Sequence, residues 1–368
     1  MTFTKMLLAV AVLTLGTQAA PARALDILLT NDDGFESSML QALYRRLKEN
    51  GHRVLVSAPA MEQSGTGGAI SREPLGPLPT PTRAGIVPAG AKGVGTLPGD
   101  PDVFYVNSTP SVSLLHGLDV LVRKRWNKAP DLVIAGPNNG HNIGLLSTHS
   151  GTFQAAMTSL ARGIPSIAVS AGLLVQGFRS FTELTPQAVE YEVADVVVRL
   201  VKELERTRTA APAKLLPVGI GLNVNIPDFL PGMGPLMRFE FSKVGTTVLT
   251  MPTFVENLAL DPIMGLTLPP PLPGVSTNLT GLSPNPIERI DDTDPTSEQA
   301  TLLRGRVAVS VVQCTHQADD PTTQLIRGQL NGLVNPATRT PPAAPQSPPA
   351  QTPPTPAAPT APALRTGS

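Results

Sequence analysis

The sequence predicts a doubly wound α/β fold, in which helices cover both faces of a mostly parallel sheet. A short apolar run at 25–30 is typical of a strand buried on both faces. Apolar residues then recur at helical spacing across 36–50 until Gly51, and a second apolar run follows at 53–57. A strand, a helix and a strand this close together predict a right-handed parallel unit.

The same alternation continues to residue 227 and extends the prediction to a Rossmann-like three-layer sandwich. The further predicted elements are a strand at 131–135, a helix at 152–162, a strand at 166–170, a helix that Thr185 and Pro186 open and that runs to Glu205, and a strand at 218–224. After this core (25–227) the chain becomes rich in proline and glycine. We expect a less regular accessory region at 228–333, with a β-hairpin at 238–251 and a late strand at 306–312.

Both ends of the chain differ in composition from this predicted domain (25–333). Residues 1–24 combine a positive charge, a short apolar run and Ala22-Arg23-Ala24, the pattern of a cleaved secretory signal peptide; an uncleaved anchor is the alternative. Eleven prolines between Pro336 and Pro362 predict a disordered tail over 334–368. We therefore expect a periplasmic or secreted protein with no membrane span after removal of the signal peptide.

Charge and cysteine content narrow the classes of function. The 28 basic and 28 acidic residues balance, which gives no support for a nucleic-acid-binding surface. The single cysteine, Cys314, cannot form an internal disulfide, and we expect it to be an apolar filler. The fold must therefore be held together by its hydrophobic core.

Three polar loops follow predicted strands, at the edge of an open parallel sheet where ligands bind. The first loop is 31–34, the second is 63–68, and the third is 136–144, which runs on to a predicted helix start at 150–152. Parallel strands end at the same edge, so these loops are expected to meet although they are far apart in the sequence. Their carboxylate, hydroxyl and amide oxygens suit a hard cation such as Mg²⁺ or Mn²⁺.

The helix start adds a second chemical feature to the predicted cation site. Ser150, Gly151 and Thr152 would present hydroxyls and unpaired backbone N–H groups, which favour a phosphate. A cation that faces a phosphate predicts hydrolysis of phosphate monoesters, with Asp32 or Asp33 also orienting the attacking water or taking its proton.

Taken singly, each feature has a plainer interpretation. The 31–34 segment also suits a turn or a helix cap, and Ser150 or Thr152 also suits an ordinary N-cap. His149 is either an acid for the leaving oxygen or a simple loop contact. The prediction depends on three such loops lying at one edge of one sheet.

Seven segments occur in a specific order: LLTNDDG at 28–34, APAMEQSGTG at 58–67, STP at 108–110, PDLVIAGPNNGHNIG at 130–144, HSGT at 149–152, GIPSIAVS at 163–170 and LNVNIP at 222–227. In these segments the chain resembles the SurE family of survival-protein nucleotidases, which are also described as acid phosphatases. The chain departs from the family in having Ser108 for the usual glycine of Gly-Thr-Pro, residues 111–113 (Ser-Val-Ser) where Asp-Cys usually follows, and a 145–148 loop without an acidic residue. The signal peptide and the proline-rich tail are also unlike the typical cytoplasmic member.

The resemblance implies both a site and an activity. The implied metal ligands are Asp32, Asp33, Ser64 and Asn138, and the implied phosphate contacts are Ser150, Gly151 and Thr152. The implied activity is that of a 5′-nucleotidase or acid phosphatase, hydrolysing nucleoside 5′- and in some members 3′-monophosphates. Relatives form homodimers or tetramers, so we expect a homo-oligomer. The alternative is a non-catalytic extracytoplasmic protein that binds nucleotides or phosphate.

Overall fold

The computed structural model describes residues 24–172, 179–208, 214–246, 250–257, 274–279, 292–315, 321 and 324–327. The predicted signal peptide up to Arg23 and the predicted tail at 334–368 lie outside these ranges. Contacts divide the chain into a unit that ends at Cys314 and a second that begins at Thr315. The predicted domain boundaries at 227 and 333 stay predictions.

A nine-stranded, mostly parallel sheet forms the middle layer of the first unit. Its strands are β1 (Asp26–Thr30), β2 (Arg53–Pro59), β3 (Val94–Leu97), β4 (Asp100–Val106), β5 (Leu132–Asn139), β6 (Ser166–Ala171), β7 (Ile220–Ile226), β8 (Phe239–Ser242) and β11 (Val307–Gln313). Their order across the sheet is β3-β4-β2-β1-β5-β6-β7-β11-β8. The strands from β4 to β7 in this order are parallel, β3 and β11 are antiparallel to their inner neighbours, and β8 is parallel to β11.

Helices cover both faces of this sheet. They are α1 (Ser38–Glu49), α2 (Pro110–His116), α3 (Val122–Trp126), α4 (Gly151–Ala161), α5 (Val189–Thr207) and α6 (Glu298–Leu303). Strand β1 shows why two layers are needed, because its alternate side chains enter different apolar clusters. Ile27 and Leu29 pack in the cluster that holds α1 and α5, whereas Leu28 packs in the cluster that holds α2, α3 and α4.

The strand order reverses direction beside β1, and this reversal fixes where a ligand can bind. From β1 the chain moves outward through β2 and β4 on one side, and β5, β6 and β7 fill the other side. A crevice forms where neighbouring strands lead to helices on opposite faces. The loops after β1, β2 and β5 all open at this point.

The structure confirms the predicted fold class and corrects several elements. The C-terminal region does contain an antiparallel strand pair, but it joins β9 (Thr250–Val255) to β10 (Gly274–Leu279). The hairpin predicted at 238–251 is wrong, because β8 pairs with β11 in the main sheet instead. Thr185 does not cap α5, which begins after Ala188 without a side-chain cap. Strands β3 and β4 were not predicted, because glycine and proline interrupt their sequence.

Candidate active site

The loops after β1, β2 and β5 meet at the carboxyl edge of the sheet, as the sequence predicts. The Gln63 amide donates to the Asp32 carbonyl at 2.8 Å, and the Asn139 amide donates to Asp33 Oδ2 at 3.2 Å. The Gly67 amide donates to the His149 carbonyl at 3.1 Å, which joins the second loop to the start of α4. These hydrogen bonds make one continuous polar site from segments far apart in the chain.

Asp32 is buried and is held by the first turn of α4. The Thr152 amide donates to Asp32 Oδ2 at 3.1 Å, and the Thr152 hydroxyl donates to Oδ1. The contact is close enough that a Cβ added to Gly151 would lie 2.9 Å from Asp32 Cβ. Glycine at 151 is therefore required by packing. The sequence predicts a phosphate contact or an ordinary N-cap for Thr152, and neither prediction includes its bonds to Asp32.

Asp33 is buried beside Asp32 and keeps one oxygen free. Its Oδ2 accepts from the Asn139 amide, whereas its Oδ1 has no hydrogen-bond partner in the described part of the chain. Burial raises the pKa of Asp32, against the lowering effect of the Thr152 hydrogen bonds. Burial and then the charge of Asp32 raise the pKa of Asp33 well above its ordinary range. The pair is electrostatically costly without a nearby positive charge.

Asn138 lies at the end of β5, and the nitrogen of its side-chain amide is already hydrogen-bonded. Its Nδ2 donates to the Gly140 carbonyl at 2.8 Å, and its buried Oδ1 lacks a hydrogen-bond partner among the described residues. The neighbouring Asn139 is also buried, and neither its Oδ1 nor its Nδ2 has such a partner. Buried polar atoms are nearly always hydrogen-bonded, so these oxygens are candidates for binding a ligand. The sequence did not single out Asn139.

Ser64 lies on the second loop next to Gln63, and its side chain is exposed. Its amide donates to Glu62 Oε1 at 2.6 Å. Ser64 is thus the most accessible of the four predicted ligands. Its loop is attached to Asp32 through Gln63.

Ser150 is the N-cap of α4, which is the plainer of its two predicted roles. Its hydroxyl oxygen accepts from the Phe153 amide at 3.0 Å, and this bond satisfies one of the free amides of the first turn. The cap leaves the Ser150 O–H available to donate. His149 is exposed, and its backbone accepts from Gly67.

The donor set fits a hard divalent cation. Among the described residues, the buried oxygens without hydrogen-bond partners include Asp33 Oδ1, Asn138 Oδ1 and Asn139 Oδ1. Mg²⁺ and Mn²⁺ prefer such carboxylate and amide oxygens. Within the described ranges, no three His, Cys, Asp or Glu side chains form a metal cluster. An ion here would therefore depend on two carboxylates together with neutral oxygens. The Nε2 of His141 contacts the Ile226 carbonyl at 2.8 Å, so this nitrogen is not free to bind the ion.

A separate cleft lies away from this site. A cleft of 460 Å³ is lined by residues 207–208 and 214–218, before β7 begins and so at the opposite edge of the sheet. None of the described residues that line it carries a carboxylate. Among the described residues, no helix has the length and apolar character needed to cross a membrane.

Comparison with known proteins identifies relatives of this chain. The sequence profile of the family described as Survival protein SurE matches residues 27–249. An acid phosphatase of Yarrowia lipolytica is 36% identical over 203 residues, which are 55% of this chain and 56% of that protein. A 5′-nucleotidase SurE of Caldanaerobacter subterraneus is 32% identical over 232 residues, 63% of this chain and 75% of that protein.

A solved structure agrees with these sequence matches. The structure of the SurE protein of Aquifex aeolicus has a TM-score of 0.55 and 25% identity, over 82% of this chain and 98% of that chain. The match to the Yarrowia protein, by contrast, spans little more than half of that protein's length.

The fold and the site together define a Rossmann-like α/β protein with an acidic, oxygen-lined site at the switch point of its sheet. Since the profile match covers more than half of the chain, this protein belongs to the SurE family.

Proposed function

We propose that this protein is a metal-dependent phosphomonoesterase that releases phosphate from nucleoside 5′-monophosphates and, in addition, from 3′-monophosphates. The observation that carries the proposal is the buried Asp32–Asp33 pair, in which Asp33 Oδ1 has no hydrogen-bond partner among the described residues, beside the start of α4. The names of the relatives, 5′-nucleotidase and acid phosphatase, support the phosphate monoester as substrate.

The two aspartates have different roles in this proposal. Asp32 is held by two hydrogen bonds from Thr152, so it is a fixed negative charge and metal ligand. Asp33 has a free oxygen, so it is a ligand that also orients the attacking water and accepts its proton. Asn138 and Ser64 complete the ligand set with an amide oxygen and a hydroxyl.

The ion supplies Lewis-acid chemistry when it is bound, because it polarises a phosphoryl oxygen and makes water more acidic. We propose Mg²⁺ or Mn²⁺, since every ligand is an oxygen. The protein contributes position: the α4 start, the Asn138 amide and the Asp32 carboxylate are all fixed by hydrogen bonds.

The start of α4 is the proposed phosphate contact. The Ser150 hydroxyl accepts from Phe153 and is left to donate to a phosphate oxygen, and the Gly151 amide lies at the positive end of the helix dipole. Thr152 contributes indirectly, because its amide and hydroxyl both bond to Asp32. The segment would therefore bind phosphate and hold a ligand at once.

The test is a substrate panel of nucleoside 5′- and 3′-monophosphates and a phosphodiester, run with the full chain and several divalent metals. We expect phosphate release from the monoesters and none from the diester. Calorimetry with the same nucleotides distinguishes an enzyme from a protein that only binds nucleotides. Tight nucleotide binding without any released phosphate would replace the proposal with a non-catalytic binding protein.

Two further proposals concern the whole protein. From the sequence resemblance we propose a homodimer or tetramer, which light scattering after size-exclusion chromatography measures. From residues 1–24 we propose export to the periplasm or the exterior, with cleavage near Leu25. Mass spectrometry of the mature N-terminus tests that cleavage.

A further inference from the structure

Glu298, at the start of α6, has a fully buried carboxylate that contacts the loop after β5. Its Oε2 accepts from the Gly144 amide at 3.0 Å, and its Oε1 accepts from Asn223 Nδ2 at 2.7 Å. Both of these partners are neutral. A buried carboxylate is costly unless its oxygens are hydrogen-bonded. The two contacts therefore stabilise Glu298 in its buried position.

The loop that Glu298 contacts leads back along the chain to Asn138. Asn223 Nδ2 also donates to the Asn142 carbonyl at 2.9 Å, and the Asn142 amide donates to Asn225 Oδ1 at 2.9 Å. The loop is thus fixed at Asn142 and at Gly144. At its other end the Gly140 carbonyl accepts from Asn138 Nδ2, which sets the orientation of the Asn138 amide.

We propose that Glu298 is a positioning residue, which fixes the 140–144 loop so that Asn138 keeps its Nδ2 on Gly140 and its Oδ1 free for the cation. This inference rests on the metal site of the proposed function. Residues that hold metal ligands in place typically change metal affinity 10- to 100-fold when they are replaced. Glu298 lies 160 positions after Asn138 in a different element, so only the folded structure connects them.

The ionisation of Glu298 connects this network to pH. Burial raises its pKa to about 7, assisted by the charge of Asp292 and opposed by hydrogen bonds from Gly144, Ser310 and Asn223. The ionised carboxylate accepts with both oxygens. Protonation makes one of these two oxygens a weaker acceptor. The hydrogen bonds from Glu298 to the 140–144 loop and to Asn223 should therefore weaken as the pH falls through neutrality.

Other titratable groups lie on the elements around Glu298. Before α6, Asp294 forms an ion pair with Lys243 at 3.2 Å. On the loop itself, burial lowers the pKa of His141, which favours the neutral imidazole. The contacts that β7 and β11 give to Glu298 come from the neutral side chains of Asn223 and Ser310.

The experiment is a Mn²⁺ titration by calorimetry of the metal-free full chain, as wild type, Glu298→Gln and Glu205→Gln. Glutamine at 298 would place an N–H group where the carboxylate accepts a hydrogen bond, facing one of its donors, Gly144, Ser310 or Asn223. We expect its Kd for Mn²⁺ at pH 8 to rise at least tenfold. The matched control, Glu205, is a carboxyl whose pKa burial also raises, but it lies beside His52 at the far edge of the sheet. We expect that variant to bind Mn²⁺ like the wild type.

The pH profile separates positioning from a general loss of structure. Between pH 8 and pH 6 the affinity advantage of wild type over Glu298→Gln should shrink toward one, since the wild-type residue becomes neutral. Equal affinities of the two proteins at pH 8, or an advantage that does not change with pH, would overturn the inference.

Hydrogen exchange of the wild type gives a measurement that needs no variant. Protection of peptides over 140–144, corrected for intrinsic rates, should rise from pH 6 to pH 8, while protection of α1 stays constant. Constant protection of the loop would contradict the inference. Neither readout uses phosphate release, so a chain that binds Mn²⁺ as expected but hydrolyses nothing would disprove the proposed function alone.

Discussion

Asp33 and Asp32 are neighbours in sequence, but their carboxylates have different surroundings. Both oxygens of Asp32 accept from Thr152, whereas Asp33 Oδ1 has no hydrogen-bond partner within the described ranges. A pair of aspartates after a strand can be recognised from sequence. Which of the two has a free oxygen cannot, because Thr152 lies 120 positions away and reaches Asp32 only through the packing of α4.

Asp33→Asn should lower kcat by a factor of about 10² to 10⁴, since it removes the proposed proton acceptor. It should also stabilise the metal-free protein by ~1 kcal/mol or more, because a buried charge beside Asp32 is removed. Steady-state kinetics and urea denaturation of the metal-free chain measure the two effects. A variant with nearly full activity would exclude Asp33 from the reaction.

Gly151→Ala should lower activity about 100-fold while the protein still folds. The new Cβ would lie 2.9 Å from both Asp32 Cβ and Pro110 Cγ, so the carboxylate must shift, and displacements of about 1 Å cost such factors. Gly68→Ala is the matched control, because its nearest contact is an ordinary 3.6 Å to Gln154. Kinetics of the two variants should differ sharply, and equal activities would contradict the close contact.

At the scale of elements, strand β5 shows both the strength and the limit of sequence reasoning. Its apolar start at Leu132 was predictable, but the strand continues through Asn139, where a loop was expected. The polar end is held by pairing of Asn138 and Asn139 with Ser170 and Ala171 of β6, past an irregularity after Ala135. Such pairing depends on a neighbouring strand, which local composition does not encode.

Helix α6 was missed for a related reason. An acidic run precedes it in the sequence, and Asp292 and Asp294 are partly exposed. Glu298 follows them in sequence but is buried against Gly144 and Asn223. Three acidic residues so close together cannot be separated into exposed and buried ones without the fold.

Glu298→Gln should flatten the dependence of stability on pH. The pKa of Glu298 is raised from 4.5 to about 7 in the folded protein, so the fold favours the protonated form. That stabilisation is complete below the unfolded value and is lost as the pH rises through 7. The wild type should lose up to about 3 kcal/mol relative to the variant between these limits. Denaturation at pH 5 and pH 8 measures it, and identical pH slopes would contradict the raised pKa.

At the scale of the whole molecule, the order of strands brings the site together. The alternation of apolar strands and amphipathic helices predicted the parallel core, and the switch point beside β1 follows from it. The far edge was less predictable. Strand β8 is short and partly exposed. It joins the sheet through β11, whose paired residues lie 68 positions later in the chain, and local patterns do not reveal such a pairing.

Removing residues 335–368 should leave kcat/KM and Tm unchanged. Eleven prolines between Pro336 and Pro362 give a composition that cannot bury a core, so the segment should contribute little to folding. Assays of the chain ending at Val334 against the full chain test this. A large loss of activity or stability would give the tail a part in the folded enzyme.

The most direct test of the account is the metal dependence of phosphate release from a nucleoside 5′-monophosphate. Chelator-treated protein should release no phosphate, and added Mg²⁺ or Mn²⁺ should restore release in a saturable way. Asp33→Asn should need far more of the metal to reach its lower rate. Release that continues in chelator, or that stays absent with every metal supplied, would contradict a metal-dependent phosphomonoesterase centred on Asp32 and Asp33.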